Sequence, residues 1–344
     1  MRAMTVRAYR EPLEEADLAE PELRPGSALL EVLTCGVCFS DVKTSRGAMP
    51  FSDRLRLPHV PGHEICARVV RSDPPVLAQG TVVVAYHLSP CRMCALCRAG
   101  REQLCRDPRG WTGFMTPGGF QERLVVPLDR LVVVPDSIDP VRAAPLTCAI
   151  GSAYRAVVNR GRTTAGDRVA VIGLGGVGIH ALQIAHAAGA EVIGLDIAAG
   201  PLNAAANLGL TAMRGDDAAS ESRVLAGNPG GVDIVIDTVG HAETMRQAHR
   251  LVRAGGRIVA VGYSMTSGFS FASPRFVLEE VEVVGSRYVA LDELTSVIRL
   301  VESGRVAPVI DRVLPLSGVN EAFAALERGE VVGRVVLDVA AGQP

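Results

Sequence analysis

The chain has 344 residues, 48% hydrophobic and 21% charged, with a formal net charge of −2 at pH 7. That length exceeds one comfortable core and predicts two domains, and the Gly-, Ala- and Val-rich composition suits a packed α/β protein rather than a disordered chain. No long run of either sign is present, so the sequence offers neither a nucleic-acid stripe nor a basic membrane face.

The opening residues, MRAMTVRAYREPLEEADLAE, contain no uninterrupted apolar stretch of the kind a signal peptide needs. The cytoplasm is therefore the expected compartment, and thiols there serve more often as metal ligands than as disulfides. Residues 1 to about 150 then run as short Val/Leu segments, SALLEVLTCGVC, EICARVVRS, GTVVVAY and ERLVVPLDRLVVVP, separated by Pro and Gly turns. This pattern predicts a compact, mostly β unit.

Inside that unit, Cys91, Cys94, Cys97 and Cys105 are spaced C-x2-C-x2-C-x7-C. Two-residue gaps let neighbouring thiolates turn onto one ion, and four thiolates complete a tetrahedron, as in structural zinc sites. A disulfide-tied loop and an iron–sulfur cluster are the alternatives. A site closed by four sulfurs has no open position, so its expected role is to hold a lobe, residues 90–106, in shape.

Beyond residue 150 the texture changes. DRVAVIGLGGVG reads as a buried strand and turn, IHALQIAHAAGA as a helix, and EVIGLD as a second strand. PLNAAANLG, VDIVIDTVG, AETMRQAHRLVRAGG and RIVAVGY continue the helix–strand alternation. Such alternation is the signature of βαβ units and a parallel sheet. DELTSVIRLVESGRV predicts an amphipathic helix, and RVVLDV a terminal strand that returns to the first domain.

GLGGVG supplies Gly173, Gly175 and Gly178, with Gly176 and Val177 between them, directly after a strand and before a helix. In a dinucleotide fold the first glycine permits the tight turn, the second lets the pyrophosphate approach, and the third packs helix on strand. The helix N-terminus then meets the phosphate charge. Asp196 closes the next strand, where a carboxylate accepts from the adenosine ribose hydroxyls and repels a 2′-phosphate. The following residues, IAAG, offer no arginine for that phosphate, so NAD is expected over NADP.

Three further segments carry potential ligands: CGVCFSDVK with Cys38, VPGHEICA with His63 and Glu64, and PLTCAIGSAY with Cys148. Singly, each cysteine or histidine is as readily a packing residue. Together, Cys38, His63 and Cys148 supply two thiolates and an imidazole with one position left open, the pattern of a catalytic zinc in alcohol dehydrogenases.

GVCFSD, PGHE, the four-cysteine lobe, GGFQE, PLTCA, GLGGVG and GRVVLDV follow one another in the order and at the spacings of a known family. Over nearly its full length the chain resembles the medium-chain, zinc-dependent alcohol dehydrogenases. The resemblance implies a GroES-like, mostly β catalytic domain (1–149 and 286–344), a doubly wound Rossmann domain (150–285), an active site between them, and a homotetramer or homodimer. It also implies two zinc ions per subunit and NAD(H). By it, Cys38, His63 and Cys148 bind the catalytic zinc, Glu64 is an occasional ligand, and Asp41 orients His63. Ser40 starts a proton relay, and Arg334 contacts the cofactor pyrophosphate.

The family's relay ends on a histidine at the position held here by Lys43. Of 35 Lys+Arg residues, 34 are arginine, and Lys43 is the only lysine. Arginine cannot release a proton at accessible pH, whereas lysine can when its surroundings lower its pKa. Met49 and Tyr86 stand where small-alcohol enzymes carry pocket aromatics, and Trp111 and Phe114 lie on a loop near the same cleft. The expected substrate is a bulky or lipophilic alcohol or carbonyl compound. A reductase of an activated C=C or C=N bond is the alternative, and a non-catalytic zinc and nucleotide binder the remote one.

Overall fold

A computed structural model describes residues 1–216 and 218–341. The chain divides into two compact units: Met1–Cys148 with Ala290–Glu302 and Ile310–Pro344, and Ala149–Val289 with Ser303–Val309. Ala149, residues 286–289 and Ser303–Val309, which the sequence reading assigns to the first domain, thus cluster with the second. For the last and longest of these the reason is local. Ala307 exchanges two hydrogen bonds with Gln183, at 2.8 and 3.0 Å, and the Val309 N–H donates to His180 Nε2 at 2.9 Å.

The first unit is built on a seven-stranded sheet. Ser27–Val37 is its long central strand, flanked by antiparallel Glu64–Asp73 and Arg334–Asp338. The terminal strand therefore does return to this unit. Apolar side chains of these strands, among them Leu30, Val32, Ile65, Val335 and Leu337, form one buried core.

The second unit holds six parallel strands in the order Ala212–Arg214, Glu191–Asp196, Arg168–Ile172, Val232–Asp237, Val252–Ala260, Glu282–Gly285. That is the doubly wound order whose ligand crevice opens at the carboxyl ends of the first strands. The predicted helix AETMRQAHRLVRAGG is shorter than its pattern suggests. It ends at Leu251, and Val252 enters the sheet opposite Val232, with a register shift before Ile234. β-branched Val252 and the glycine pair at 255–256 favour the extended, irregular backbone over a further helical turn. Among the described residues no helix is long and apolar enough to cross a membrane.

Candidate active site

Cys38 ends the central strand and caps the helix Phe39–Ser45. The helix start is reciprocally tied: the Cys38 Sγ accepts from Ser40 N–H at 3.5 Å, and Asp41 Oδ2 accepts from Cys38 N–H at 2.9 Å. This is the capping-box arrangement with a thiol in place of the usual hydroxyl. The same carboxylate turns its Oδ1 to His63 Nδ1 at 2.9 Å, with both side chains fully buried. The other ring nitrogen, Nε2, lies 3.3 Å from Cys148 Sγ.

One donor atom each from Cys38, His63, Glu64 and Cys148 lies within 4.8 Å of the others, and so do the four sulfurs of Cys91, Cys94, Cys97 and Cys105. All eight cysteines are free thiols, so no disulfide ties the lobe. Within it, Cys91 and Cys97 sulfurs are 3.9 Å apart and Cys94 and Cys97 sulfurs 3.5 Å. Zn–S bonds of about 2.3 Å at tetrahedral angles require an S–S edge of about 3.8 Å, and a Zn–N bond of about 2.0 Å requires an N–S edge of about 3.5 Å. Both donor sets fit zinc in chemistry and in spacing.

In each set some thiols are held below their ordinary pKa and others above it. A hydrogen bond from Cys148, with the Arg334 charge nearby, holds the Cys38 thiol well below its ordinary range, while Cys148 retains its proton and is raised. For His63, burial is the largest single influence and acts downward, but the charge and hydrogen bond of Asp41, helped by Cys38, outweigh it and hold the imidazole well above its usual value. In the lobe, backbone N–H groups bring Cys94 down to about 6 and lower Cys91, whereas burial and neighbouring thiols push Cys97 up to about 12.

Glu64 is engaged by an arginine. Arg334 Nε lies 3.0 and 2.9 Å from its two carboxylate oxygens, and the Arg334 terminal nitrogen also reaches Cys38 Sγ at 3.4 Å. Glu64 and Arg334 open the two strands on either side of Gly36–Val37. A Cβ at position 36 would overlap Glu64 Oε2, so glycine is what lets the carboxylate reach across. The sequence reading gives Arg334 a phosphate contact. In the structure Arg334 is buried and its guanidinium sits against Glu64 and Cys38.

Ser40 and Lys43 share the helix that Cys38 caps. Among the described residues nothing hydrogen-bonds the Ser40 hydroxyl. Lys43 is half-buried, its Nζ 5.8 Å from the Phe39 ring centroid, and burial lowers its pKa. Met49, Tyr86 and Trp111 are all buried. Trp111 packs on Phe51 and Phe114 at 4.6 and 4.8 Å, and Phe114 lies 4.6 Å from the His63 ring. Phe51 and His87, a buried imidazole 5.8 Å from His63, are members of this cluster that sequence reasoning missed. Phe51 was within reach, being two residues past Met49. His87 carries no spacing signal.

In the second unit, Gly173 has φ +81°, and a Cβ there would strike Val239 and Thr238. A Cβ at Gly178 would overlap the Gly173 carbonyl, while one at Gly175 would meet nothing within 4 Å. Room is thus left at the second glycine, and the third closes helix on strand. Asp196 Oδ2 accepts from Leu174 N–H at 2.7 Å and Oδ1 from Ala198 N–H at 2.9 Å, so this carboxylate also holds the glycine loop in shape.

The fold and the two donor sets define a dehydrogenase assembled from a GroES-like unit and a Rossmann unit. Residues 24–136 match the family model of the alcohol dehydrogenase GroES-like domain, and residues 176–303 that of the zinc-binding dehydrogenases. An alcohol dehydrogenase of Geobacillus stearothermophilus is 30% identical over 342 residues, covering 98% of both chains. The crystal structure of AibC superposes with a TM-score of 0.91 at 31% identity, covering 98% of this chain and 95% of that one. That of an NAD-dependent alcohol dehydrogenase gives 0.91 at 30% identity, covering 98% and 100%. The chain belongs to the zinc-dependent medium-chain alcohol dehydrogenase family and is an oxidoreductase of the alcohol dehydrogenase class.

Proposed function

We propose that this protein interconverts a bulky, lipophilic alcohol and its aldehyde or ketone, with NAD(H) as hydride carrier and two zinc ions per subunit. The observation that carries the reading is the convergence of Cys38, His63 and Cys148 around one point, with Asp41 fixing the imidazole from behind. These three residues would hold the catalytic ion, and the lobe cysteines the second. Zinc in such a site supplies Lewis acidity toward a substrate oxygen.

The remaining chemistry falls to the chain's own side chains. Ser40 Oγ accepts the hydrogen bond of the substrate hydroxyl and passes its proton on toward Lys43. Lys43 Nζ takes up that proton in alcohol oxidation and returns it in carbonyl reduction. Arg334 balances the Glu64 carboxylate and the Cys38 sulfur, and so keeps Glu64 from competing for the open position. Phe51, Trp111 and Phe114 offer an apolar aromatic wall beside His63, which favours substrates with large apolar groups over ethanol. Gly175 leaves room for the cofactor pyrophosphate, and Asp196 favours a free ribose over a 2′-phosphate.

The testing experiment joins a metal count on purified protein to a panel of aryl, alkyl and short alcohols with NAD and with NADP. Two zinc equivalents and NAD-linked turnover of the larger alcohols are expected. A single equivalent, or no alcohol turnover, overturns the reading. Lysine in place of imidazole favours as second reading the reduction of an activated C=C or C=N bond, which enals and imines in the same panel would reveal.

A further inference from the structure

A cavity of about 780 Å³ lies in the first unit, and none of the donors Cys38, His63, Glu64 or Cys148 lines it. Its size falls in the range of small-molecule sites, about 300–1,000 Å³. Its walls come from the segment Leu18–Ser27, the entry to the cysteine lobe at Ser89–Arg92, the loop from Arg109 to Pro117, and the strand Arg123–Pro127.

Four arginines line it, Arg24, Arg92, Arg109 and Arg130, together with the acidic residues Glu22 and Asp129. Two of the four are spent on structure. Arg92 and Arg130 both bond Asp129, and Arg130, 3% exposed, also donates to Glu102 Oε1 at 3.2 Å and to the Leu88 carbonyl at 3.4 Å. The side chains of Arg24 and Arg109 have no ion-pair or hydrogen-bond partner among the described residues. Both line the cavity, Glu22 is the one carboxylate of its wall not already bonded to an arginine, and the wall also includes the apolar Leu18, Pro90, Pro117 and Leu124. Guanidinium groups beside apolar side chains match a planar or tetrahedral oxyanion on a hydrophobic body.

We propose that this cavity is a second binding site, for an organic anion whose carboxylate, sulfonate or phosphate is held by Arg24 and Arg109 while its apolar body lies against Leu18, Pro90, Pro117 and Leu124. The site shares a loop with the metal centre. Thr112 and Thr116 line the cavity, whereas Phe114 of the same turn packs on the His63 ring at 4.6 Å. The proposal does not depend on which alcohol the enzyme oxidises.

The test is calorimetric titration of the zinc-loaded enzyme, saturated with NADH, with naphthalene-1-sulfonate. The neutral naphthalene-1-sulfonamide serves as control. The expected result is saturable binding of the sulfonate that weakens by roughly tenfold or more in an Arg24→Gln/Arg109→Gln variant and for the sulfonamide. Both arginines are exposed and outside the donor sets, so kcat and KM without probe should equal wild type, which also reports correct folding. Equal affinity in wild type and variant, equal affinity for the sulfonamide, or no binding at millimolar sulfonate overturns the proposal. So does a variant that changes only the oligomeric state, which would make the cavity a subunit contact.

Discussion

Asp41 holds two structures at once: its Oδ2 fastens the N-terminus of the Cys38 helix at 2.9 Å, and its Oδ1 fixes His63 Nδ1 at 2.9 Å. One carboxylate thereby sets the relative position of two of the three proposed zinc donors. Asp41→Asn preserves shape but removes the charge that orients the imidazole, and should cost about 10–100-fold in zinc affinity or kcat. Asp41→Ala also removes the cap, adding about 1 kcal/mol of destabilisation. Chelator competition and thermal melts of the two variants separate the effects. A wild-type zinc affinity in Asp41→Asn would refute the orienting role.

The Glu64–Arg334 pair is buried on both sides, with 0% and 6% of the two side chains exposed. Removing one charge strands the other, so Glu64→Gln or Arg334→Met should each cost about 3–5 kcal/mol, and the double variant less than their sum. Denaturant unfolding of the four proteins gives the coupling directly. Additive costs would mean that the ion pair contributes nothing specific. Gly36→Ala should mimic the Glu64 variant, because its methyl displaces the carboxylate without altering any charge.

The proposed structural ion has a pH signature. Free of metal, Cys97 is protonated up to about 12 and Cys94 only below about 6. Zinc takes thiolates, so at neutral pH it must displace the Cys97 proton, and below about 6 the Cys94 proton as well. Zinc affinity of the lobe should therefore fall as pH falls, with a slope that steepens below about 6. Competition titrations between pH 5 and 8 on a Cys148→Ser variant, which isolates the lobe ion, test this. A flat profile would mean the ligands are not these thiols. Cys97→Ser should lose one equivalent of metal and leave the other.

Much of this architecture is legible in the sequence because backbone chemistry dictates it. The glycines at 173, 175 and 178 serve a turn, an opening and a close packing contact, and only glycine serves all three, so the motif marks its own geometry. The C-x2-C spacings are equally local. What stays hidden is whatever joins distant segments through side chains alone. Glu64 and Arg334 are 270 positions apart and meet only because Gly36 lies between their strands. The resemblance gives Arg334 a pyrophosphate contact and says nothing of its ion pair with Glu64. The capping role of Asp41 could have been read from the Cys-x-x-Asp spacing, but the cysteine in the serine position disguises it.

Asp196 has a structural duty and a proposed cofactor-binding one that a variant can compare. Its carboxylate holds Leu174 N–H at 2.7 Å, and a carboxylate has further lone pairs for a ribose hydroxyl. Asp196→Asn leaves one acceptor oxygen where the loop uses two, so it gives up either the Leu174 or the Ala198 bond, and it removes the charge proposed to repel a 2′-phosphate. The ratio of kcat/KM for NAD to that for NADP should drop by roughly tenfold or more, with a loss of stability of about 1 kcal/mol. An unchanged ratio would leave Asp196 a purely structural residue.

Lys43 is the only side-chain amine in the chain, which makes it separately observable. The sole other amine, at Met1, is bonded to Asp17 at 2.8 Å and to the Leu18 carbonyl at 2.7 Å. Burial lowers the Lys43 pKa beneath its ordinary 10.5, so the amine becomes neutral at a lower pH than a solvated lysine does. Labelling by an amine-directed reagent, followed by mass spectrometry, should rise through a midpoint below 10.5. If Lys43 is the proton acceptor, alcohol oxidation needs the neutral amine and should rise with pH through that same midpoint, while carbonyl reduction should fall. Lys43→Ala should slow turnover by up to about 10²–10⁴. Lys43→Arg keeps the charge but cannot release the proton, so it should erase this limb of the pH profile rather than shift it. An Arg variant with the wild-type profile would show that position 43 needs only a cation.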